Sequence, residues 1–168
     1  MICLTTLFLT LFLTHIARAL PRGCHDFISP ETDANQHGLA YNDPQQPPPF
    51  PLKVTYDQTF DNRNGSLNNV ACSNGQYGLV TKYPTFGDVP GVPYIGGAYD
   101  IAFNSPNCGS CWKITNPAND VTIYITGIDT AGQGFNIAKE AFDVLNSGGG
   151  GNTLIVEAGK VSTKPCGL

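Results

Sequence analysis

Residues 108–126 read CGSCWKITNPANDVTIYIT, and this stretch decides the fold. Its two runs at 112–115 and 121–126 are rich in the β-branched and aromatic residues that favour strands. The segment NPAND between them has the composition of a turn. The pattern therefore predicts a β-hairpin whose first strand follows two closely spaced cysteines.

Further strands are predicted on both sides of this hairpin. Residues 53–56 alternate polar and apolar side chains, and residues 154–156 open a last apolar strand. One helix is predicted over residues 137–146, capped by Asn136, with an apolar face made of Ile137, Ala141, Val144 and Leu145. The 19 Gly and 13 Pro indicate many turns, so the sequence predicts a small β-barrel with one helix.

The N-terminal part of the chain differs from this domain. Residues 2–13 form an apolar run shorter than the ~20 residues of a membrane-spanning helix, and ARA at 17–19 resembles a signal-peptidase site. We expect a signal peptide at 1–19, with a buried core helix as the alternative. Residues 20–51 are proline-rich and mostly acidic, which predicts a disordered arm before a folded domain at 52–168. The protein is expected to be secreted and to have no membrane span.

Charge and histidine content exclude several functional classes. The net charge is −4, whereas proteins that bind nucleic acids usually carry a basic patch, so no nucleic-acid partner is predicted. His15, His25 and His37 all precede residue 52. The domain therefore has no histidine for Ser-His or Cys-His catalysis, or for the usual zinc and non-haem iron centres. Since the chain also lacks a GxxxxGK[ST] phosphate loop, no cofactor is predicted.

The cysteines indicate an oxidising compartment. Cys3 would be removed with the signal peptide, and the four in the domain allow three pairings: Cys72, Cys108, Cys111 and Cys166. They predict two disulfides, because a redox CxxC motif would need a βαβ context and a zinc site a second short cysteine pair. Cys24 in the arm has no predicted partner within the chain. It could form a disulfide between two copies of the protein, be removed by proteolytic cleavage of the arm, or stay a free thiol.

Two further positions carry functional signals. Asp129 follows the apolar run ITGI at 125–128 and precedes a glycine-rich turn. Its carboxylate could point into a groove or accept backbone N–H bonds within the turn. Asn64 opens the sequon Asn64-Gly65-Ser66 in a turn-rich loop, which makes it a candidate for N-glycosylation in a secreted protein.

Several spaced motifs share the domain with these positions. They read ACSNG at 71–75, YPTFG at 83–87, IGG at 95–97, NSPNCGSCW at 104–112 and GID followed by GFN between 127 and 136. In these motifs the chain resembles the cerato-platanin family of secreted fungal proteins, over about residues 54–166.

The resemblance implies a mainly β fold, a six-stranded double-ψ β-barrel with one or two short helices. It also implies two disulfides, Cys72–Cys108 and Cys111–Cys166. The resemblance further implies that the protein is not an enzyme. It implies binding of chitin oligomers in a shallow groove that contains Asp129, expansin-like loosening of cellulosic material, self-assembly at interfaces and elicitation of plant defences.

Two departures from related proteins bear on the site. Ala102-Phe103 stands where the family commonly has Gly-Trp, which either weakens an aromatic contact or exchanges one core aromatic for another. Asn136 stands where expansins have the Asp that serves related endoglucanases as general acid, and an amide does not titrate in water. Hydrolysis would then need Asp129 and a second carboxylate such as Asp57.

The favoured hypothesis is a secreted, non-catalytic protein of the fungal cell wall that binds chitin or other wall oligosaccharides. Asp129 would accept hydrogen bonds from the sugar, and Asn136, Tyr56 and Tyr99 would add contacts. The alternatives are a weak polysaccharide-cleaving enzyme that uses Asp129, and a purely surface-active protein that self-assembles. A plant receptor is a further expected partner of such an effector.

Overall fold

A computed structural model describes residues 51–168 of the chain. The predicted signal peptide, the predicted arm up to residue 50 and Cys24 lie outside the described residues. Among residues 51–168, no helix has the length and apolar character needed to cross a membrane.

Six strands of the described chain close into a barrel, against which one helix packs. In chain order they are β1 (Leu52–Tyr56), β2 (Ile95–Ala98), β3 (Cys111–Asn116), β4 (Val121–Thr130), β5 (Gly134–Ile137), α1 (Lys139–Leu145) and β6 (Leu154–Val161). Neighbouring strands follow the order β1-β5-β2-β4-β3-β6, and β6 closes the barrel against β1. The predicted mainly β barrel is confirmed, and so are the hairpin, which is β3 and β4, and both flanking strands.

Strand pairing brings the end of β2, the end of β4 and the start of β5 together. β1 pairs with β5 and β2 with β4 in parallel, whereas the other neighbours are antiparallel. Ala98 at the end of β2 therefore lies beside Thr130 of β4 and beside Phe135 of β5. The turn between β4 and β5 lies at this end of the barrel.

The barrel interior is apolar because inward-facing positions alternate with polar outward-facing ones along the strands. In β1, Leu52 and Val54 are buried while Lys53 between them is exposed. Isoleucines and aromatic residues fill most of the interior: Ile95, Ile114, Ile125, Ile128, Phe135, Ile137 and Trp112. The ring of Trp112 lies 5.2 Å from that of Phe135 and 5.5 Å from that of Tyr99, so aromatic packing closes one end of the barrel.

The predicted helix start is wrong. α1 begins at Lys139, and Asn136 is a residue of β5 that pairs with Thr55 on one side and Gly97 on the other. Strand pairing on both sides outweighs the capping preference of Asn136, because cross-strand contacts are stronger than local propensity. Ile137 likewise belongs to β5.

The helix is held at its start by a distant carboxylate. Asp61 Oδ2 accepts a hydrogen bond from the backbone N–H of Lys139 at 3.2 Å, and Asp61 Oδ1 one from that of Glu140 at 3.1 Å. The buried face consists of Ala141, Phe142 and Leu145, whereas Val144, predicted to be on that face, is exposed.

Two disulfides tie the loops to the barrel. Cys72 is bonded to Cys108, and Cys111 to Cys166, with sequence separations of 36 and 55 residues. Both pairings implied by the family resemblance are confirmed. The closely spaced Cys108 and Cys111 are therefore partners of different cysteines, which rules out a CxxC redox pair.

Candidate functional site

A polar row crosses the outer face of four neighbouring strands. Its members stand opposite one another in the strand register: Thr55 (β1), Asn136 (β5), Gly97 (β2) and Asp129 (β4). A Cβ atom at Gly97 would overlap the backbone carbonyl of Thr130, so only glycine fits there. The row therefore has polar side chains on both sides of a position that carries none.

Asp129 is anchored by one of its two carboxylate oxygens. Oδ1 accepts hydrogen bonds from the backbone N–H groups of Ala71 and Thr130, both at 2.8 Å. Oδ2 makes no hydrogen bond to the described part of the chain, and the residue is half-buried. The interpretation of Asp129 as a turn carboxylate is confirmed for Oδ1, while Oδ2 is left as an acceptor for another molecule.

Asn136 is anchored in a similar way. Its Oδ1 accepts a hydrogen bond from Thr55 Oγ1 at 2.9 Å, which leaves the Nδ2 donor without a partner in residues 51–168. Asn136 and Thr55 line a shallow depression of about 140 Å³, together with Lys53, Ala131, Gly132, Gln133 and Phe135. Two strand spacings separate the backbones of Asn136 and Asp129, which is about 9.5 Å.

The two predicted tyrosines both pack against other aromatic rings. The Tyr56 ring packs 5.0 Å from that of Phe142 and 5.1 Å from Lys139 Nζ, beside α1. Since Tyr56 follows Thr55 directly, it is on the other face of β1. Tyr99 is half-buried and packs against Trp112 and Phe135 at the aromatic end of the barrel. Asp129 and Asn136 thus share one row, Tyr56 lies on the opposite face of β1, and Tyr99 stays a predicted contact residue two positions after Gly97.

The carboxylate proposed as a second acid has another function. Asp57 caps the 3-10 turn Gln58–Asp61, and its Oδ1 accepts the backbone N–H of Thr59 at 2.8 Å. Residues 51–168 contain no group of three or more His, Cys, Asp or Glu side chains that could hold a metal ion.

Two groups of the described chain have clearly shifted pKa values, and both lie outside the polar row. Hydrogen bonds from the Thr85 hydroxyl and backbone N–H lower the pKa of Asp88 below its ordinary value of 3.8. The hydrogen bond to Asp143 raises the pKa of Lys139. Neither shift provides an acid or base beside Asp129.

Phe103 is exposed, with 66% of its surface accessible. The interpretation that it replaces a family tryptophan in the core is therefore wrong. Asn64 is exposed as well, and its side chain makes no hydrogen bond within the described residues.

Sequence reasoning did not identify Thr55 or Ala71 as part of this site. The alternation of β1 places Thr55 on the outer face, and that signal could have identified it. No local signal marks Ala71, because its contact with Asp129 joins residues 58 positions apart.

Comparisons with known proteins agree with this architecture. Residues 52–168 match the family model described as Cerato-platanin. The allergen Asp f 15 of Aspergillus fumigatus is 53% identical over 113 residues, which cover 67% of this chain and 70% of the allergen. Cerato-platanin of Ceratocystis fimbriata f. sp. platani is 46% identical over 95 residues, which cover 56% of this chain and 69% of that protein.

Solved structures of similar chains have the same fold. The crystal structure of cerato-platanin 2 from M. perniciosa matches with a TM-score of 0.66 and 44% identity, covering 71% of this chain and 100% of that one. The solution structure of the fungal elicitor cerato-platanin matches with a TM-score of 0.64 and 39% identity, covering 68% and 96%. Since the family model spans the whole barrel and both relatives agree with it, the chain belongs to the cerato-platanin family.

Proposed function

We propose that the chain is a secreted, non-catalytic protein that binds chitin-type oligosaccharides of the cell wall through the polar row. The observation that carries this proposal is Oδ2 of Asp129, which makes no hydrogen bond to residues 51–168 and lies beside the glycine position that separates Asp129 from Asn136. Both side chains are held by other hydrogen bonds, so they are oriented before a ligand arrives.

The chemistry of the row fits an uncharged sugar with an N-acetyl group. Asp129 Oδ2 is a strong acceptor for a sugar hydroxyl or an acetamido N–H, and Asn136 Nδ2 is a donor for a hydroxyl or an acetamido carbonyl. The backbone of Thr130 fills the place of a side chain at Gly97, so a ligand that spans the two groups would cross this backbone. A shallow, open surface of this kind suits a polymer chain better than a small enclosed ligand.

The same geometry argues against hydrolysis. Cleavage of a glycosidic bond needs two carboxyl groups about 5–9.5 Å apart. Asn136 stands at the position of the expected general acid, and Asp57 is engaged in capping a turn. Asp129 is thus left without a partner carboxylate in the row, which supports binding without catalysis.

Calorimetric titration with N-acetylglucosamine oligomers, combined with product analysis of the same samples, tests this function. We expect heat of binding and no new reducing ends for the wild type. Asp129→Asn should bind roughly tenfold more weakly, because it replaces the charged acceptor by a donor. Released products would instead support a weak polysaccharide-cleaving enzyme. Absence of both heat and products would favour a surface-active, self-assembling protein.

Loosening of cellulosic material and elicitation of plant defence are part of the proposal. One relative of solved structure is described as a fungal elicitor, which supports the second activity. If sugar binding underlies elicitation, Asp129→Asn should lower both the response of plant tissue and the extension of cellulose paper. An unchanged plant response with lost sugar binding would point to a separate receptor surface.

Secretion can be tested through Asn64. The sequon is the only one in the sequence, and Asn64 is exposed in a loop, so the oligosaccharyltransferase of the secretory route could reach it during synthesis. Protein secreted from a fungal host should carry a glycan that peptide N-glycosidase removes. Ser66→Ala should abolish the modification and Ser66→Thr should keep it. Unmodified Asn64 in secreted wild-type protein would contradict this prediction.

A further inference from the structure

Two aromatic side chains are exposed on neighbouring loops of the described chain. Phe103 has 66% of its surface accessible and Tyr77 has 42%. The two loops are joined, because the backbone N–H of Tyr77 donates to Asn104 Oδ1 at 2.9 Å. Large apolar side chains grouped on a surface commonly mark a place of contact with another molecule.

The aromatic loops are connected to the polar row through Ala71. The Ala71 carbonyl accepts the backbone N–H of Asn104 at 3.4 Å, and the Ala71 N–H donates to Asp129 Oδ1 at 2.8 Å. Phe103 precedes Asn104, so its backbone lies on the order of 10 Å from the Asp129 carboxylate.

The loop conformation that presents Phe103 is held in place. Asn104 has φ of 55°, a left-handed conformation that asparagine tolerates better than most residues. Gly75, with φ of 96°, packs against the Asn104 side chain, and a Cβ atom there would overlap it. The disulfide Cys72–Cys108 joins the two segments covalently. An aromatic ring on a constrained loop loses little entropy when it binds a ligand.

We infer that Phe103, with Tyr77 on the adjoining loop, extends the proposed sugar site by an apolar contact for the C–H face of a pyranose ring. This inference rests on the proposed function and adds the length of ligand that the site takes. The polar row is about 9.5 Å long between Asn136 and Asp129, which accommodates a short oligomer. A longer chain that continues beyond Asp129 comes within reach of Phe103.

The inference assigns separate contributions to the two regions. Hydrogen bonds in the polar row act on oligomers of any length, whereas Phe103 contacts only ligands that extend past Asp129. Affinity should therefore rise with oligomer length in the wild type, and the rise should depend on Phe103.

Calorimetric titration with the N-acetylglucosamine dimer and hexamer tests this length dependence. Phe103→Ser should weaken hexamer binding roughly tenfold and dimer binding less than twofold, and Phe103→Trp should bind the hexamer at least as tightly as the wild type. Val144→Ser is the matched control, because Val144 is 47% exposed but lies on α1, outside the four strands of the row. Asp129→Asn should weaken both oligomers.

The outcomes separate the two proposals. If Asp129→Asn weakens binding but Phe103→Ser leaves the hexamer unaffected, the inference about Phe103 is wrong and the proposed function stands. Equal losses for dimer and hexamer in Phe103→Ser, with an unchanged melting temperature, would also contradict it. If the wild type binds neither oligomer, both proposals fail. If Phe103→Ser changes only adsorption at an air–water interface, Phe103 belongs to a surface-active role.

Discussion

Asp61 and Asp129 each accept two backbone N–H groups in different regions of the molecule, yet they differ in how many of their carboxylate oxygens take part. At the α1 junction, formed by Asp61, Lys139 and Glu140, each carboxylate oxygen of Asp61 accepts one backbone N–H of the helix start. At the β4 end, formed by Ala71, Asp129 and Thr130, a single oxygen of Asp129 accepts both backbone N–H groups. Both oxygens of Asp61 are thus bonded to the backbone, whereas one oxygen of Asp129 makes no hydrogen bond to residues 51–168.

The difference shows how one carboxylate can hold a fold together and still bind a ligand. A carboxylate with both oxygens bonded to the backbone is held entirely in the service of the fold, and a ligand that approached it would have to share oxygens already bonded to N–H groups. A carboxylate with one anchored oxygen is oriented by the fold and still offers its other oxygen. Asp61 is therefore expected to matter for stability, and Asp129 for stability through Oδ1 and for binding through Oδ2.

Removal of the Cys72–Cys108 disulfide should have the largest effect. The bond closes a loop of 36 residues and lies next to Ala71, so its loss should destabilise the fold by roughly 3–4 kcal/mol and loosen the β4 end. Thermal melts of the Cys72→Ser, Cys108→Ser double variant measure this. Sugar binding should weaken with it. A variant that melts with the wild type would contradict the prediction.

Asp61→Ala should have the next largest effect. It removes the acceptors of two N–H groups at the helix start, which should cost about 2 kcal/mol of unfolding free energy. Urea denaturation measures this cost. Sugar affinity of the folded variant should stay unchanged, since Asp61 is at the helix and not in the polar row. A large loss of affinity would contradict the separation of the two regions.

The same substitution, Asp→Asn, distinguishes the two carboxylates most sharply. An amide has one oxygen, so Asp61→Asn should lose one of its two hydrogen bonds and cost about 1 kcal/mol. Asp129→Asn keeps an oxygen at the position of Oδ1 and should change the unfolding free energy by less than about 0.5 kcal/mol. Asp129→Ala loses both N–H partners and is the matched comparison, expected to destabilise like Asp61→Ala. Equal costs for the two Asn variants would contradict the comparison.

The contrast between these regions also shows how far the sequence predicts the structure. The hairpin and the barrel strands follow from local alternation and turn composition, which act within a few residues. Asp61 and Lys139 are 78 positions apart, so nothing near either residue indicates that they meet. Local capping preference instead suggested Asn136, which the pairing of β5 with both β1 and β2 makes a strand residue.

The site shows the same limit. Asp129 could be selected from its place after an apolar strand, but which of its oxygens stays free depends on Ala71 and Thr130. The exposure of Phe103 depends on the fold of two loops joined by a disulfide. The sequence motif alone did not decide whether Phe103 is exposed or in the core.

A third carboxylate, Asp88, provides the smallest and most local test of the comparison. Asp88 Oδ2 accepts both the N–H and the hydroxyl of Thr85, within the 3-10 turn Phe86–Asp88, and these bonds lower its pKa. Because the pKa is lower in the folded state, the ionised carboxylate stabilises the fold above about pH 4, and this contribution is lost as the pH falls through the lowered pKa.

Asp88→Asn should therefore be slightly less stable than the wild type at neutral pH and equally stable at strongly acidic pH. Urea melts of both proteins across this range measure the difference, with Glu157→Gln as the control, since the Glu157 side chain is exposed on β6 and makes no hydrogen bond or ion pair to the described part of the chain. A stability difference for Asp88→Asn that does not change with pH would show that the turn depends on hydrogen-bond geometry alone and not on the charge.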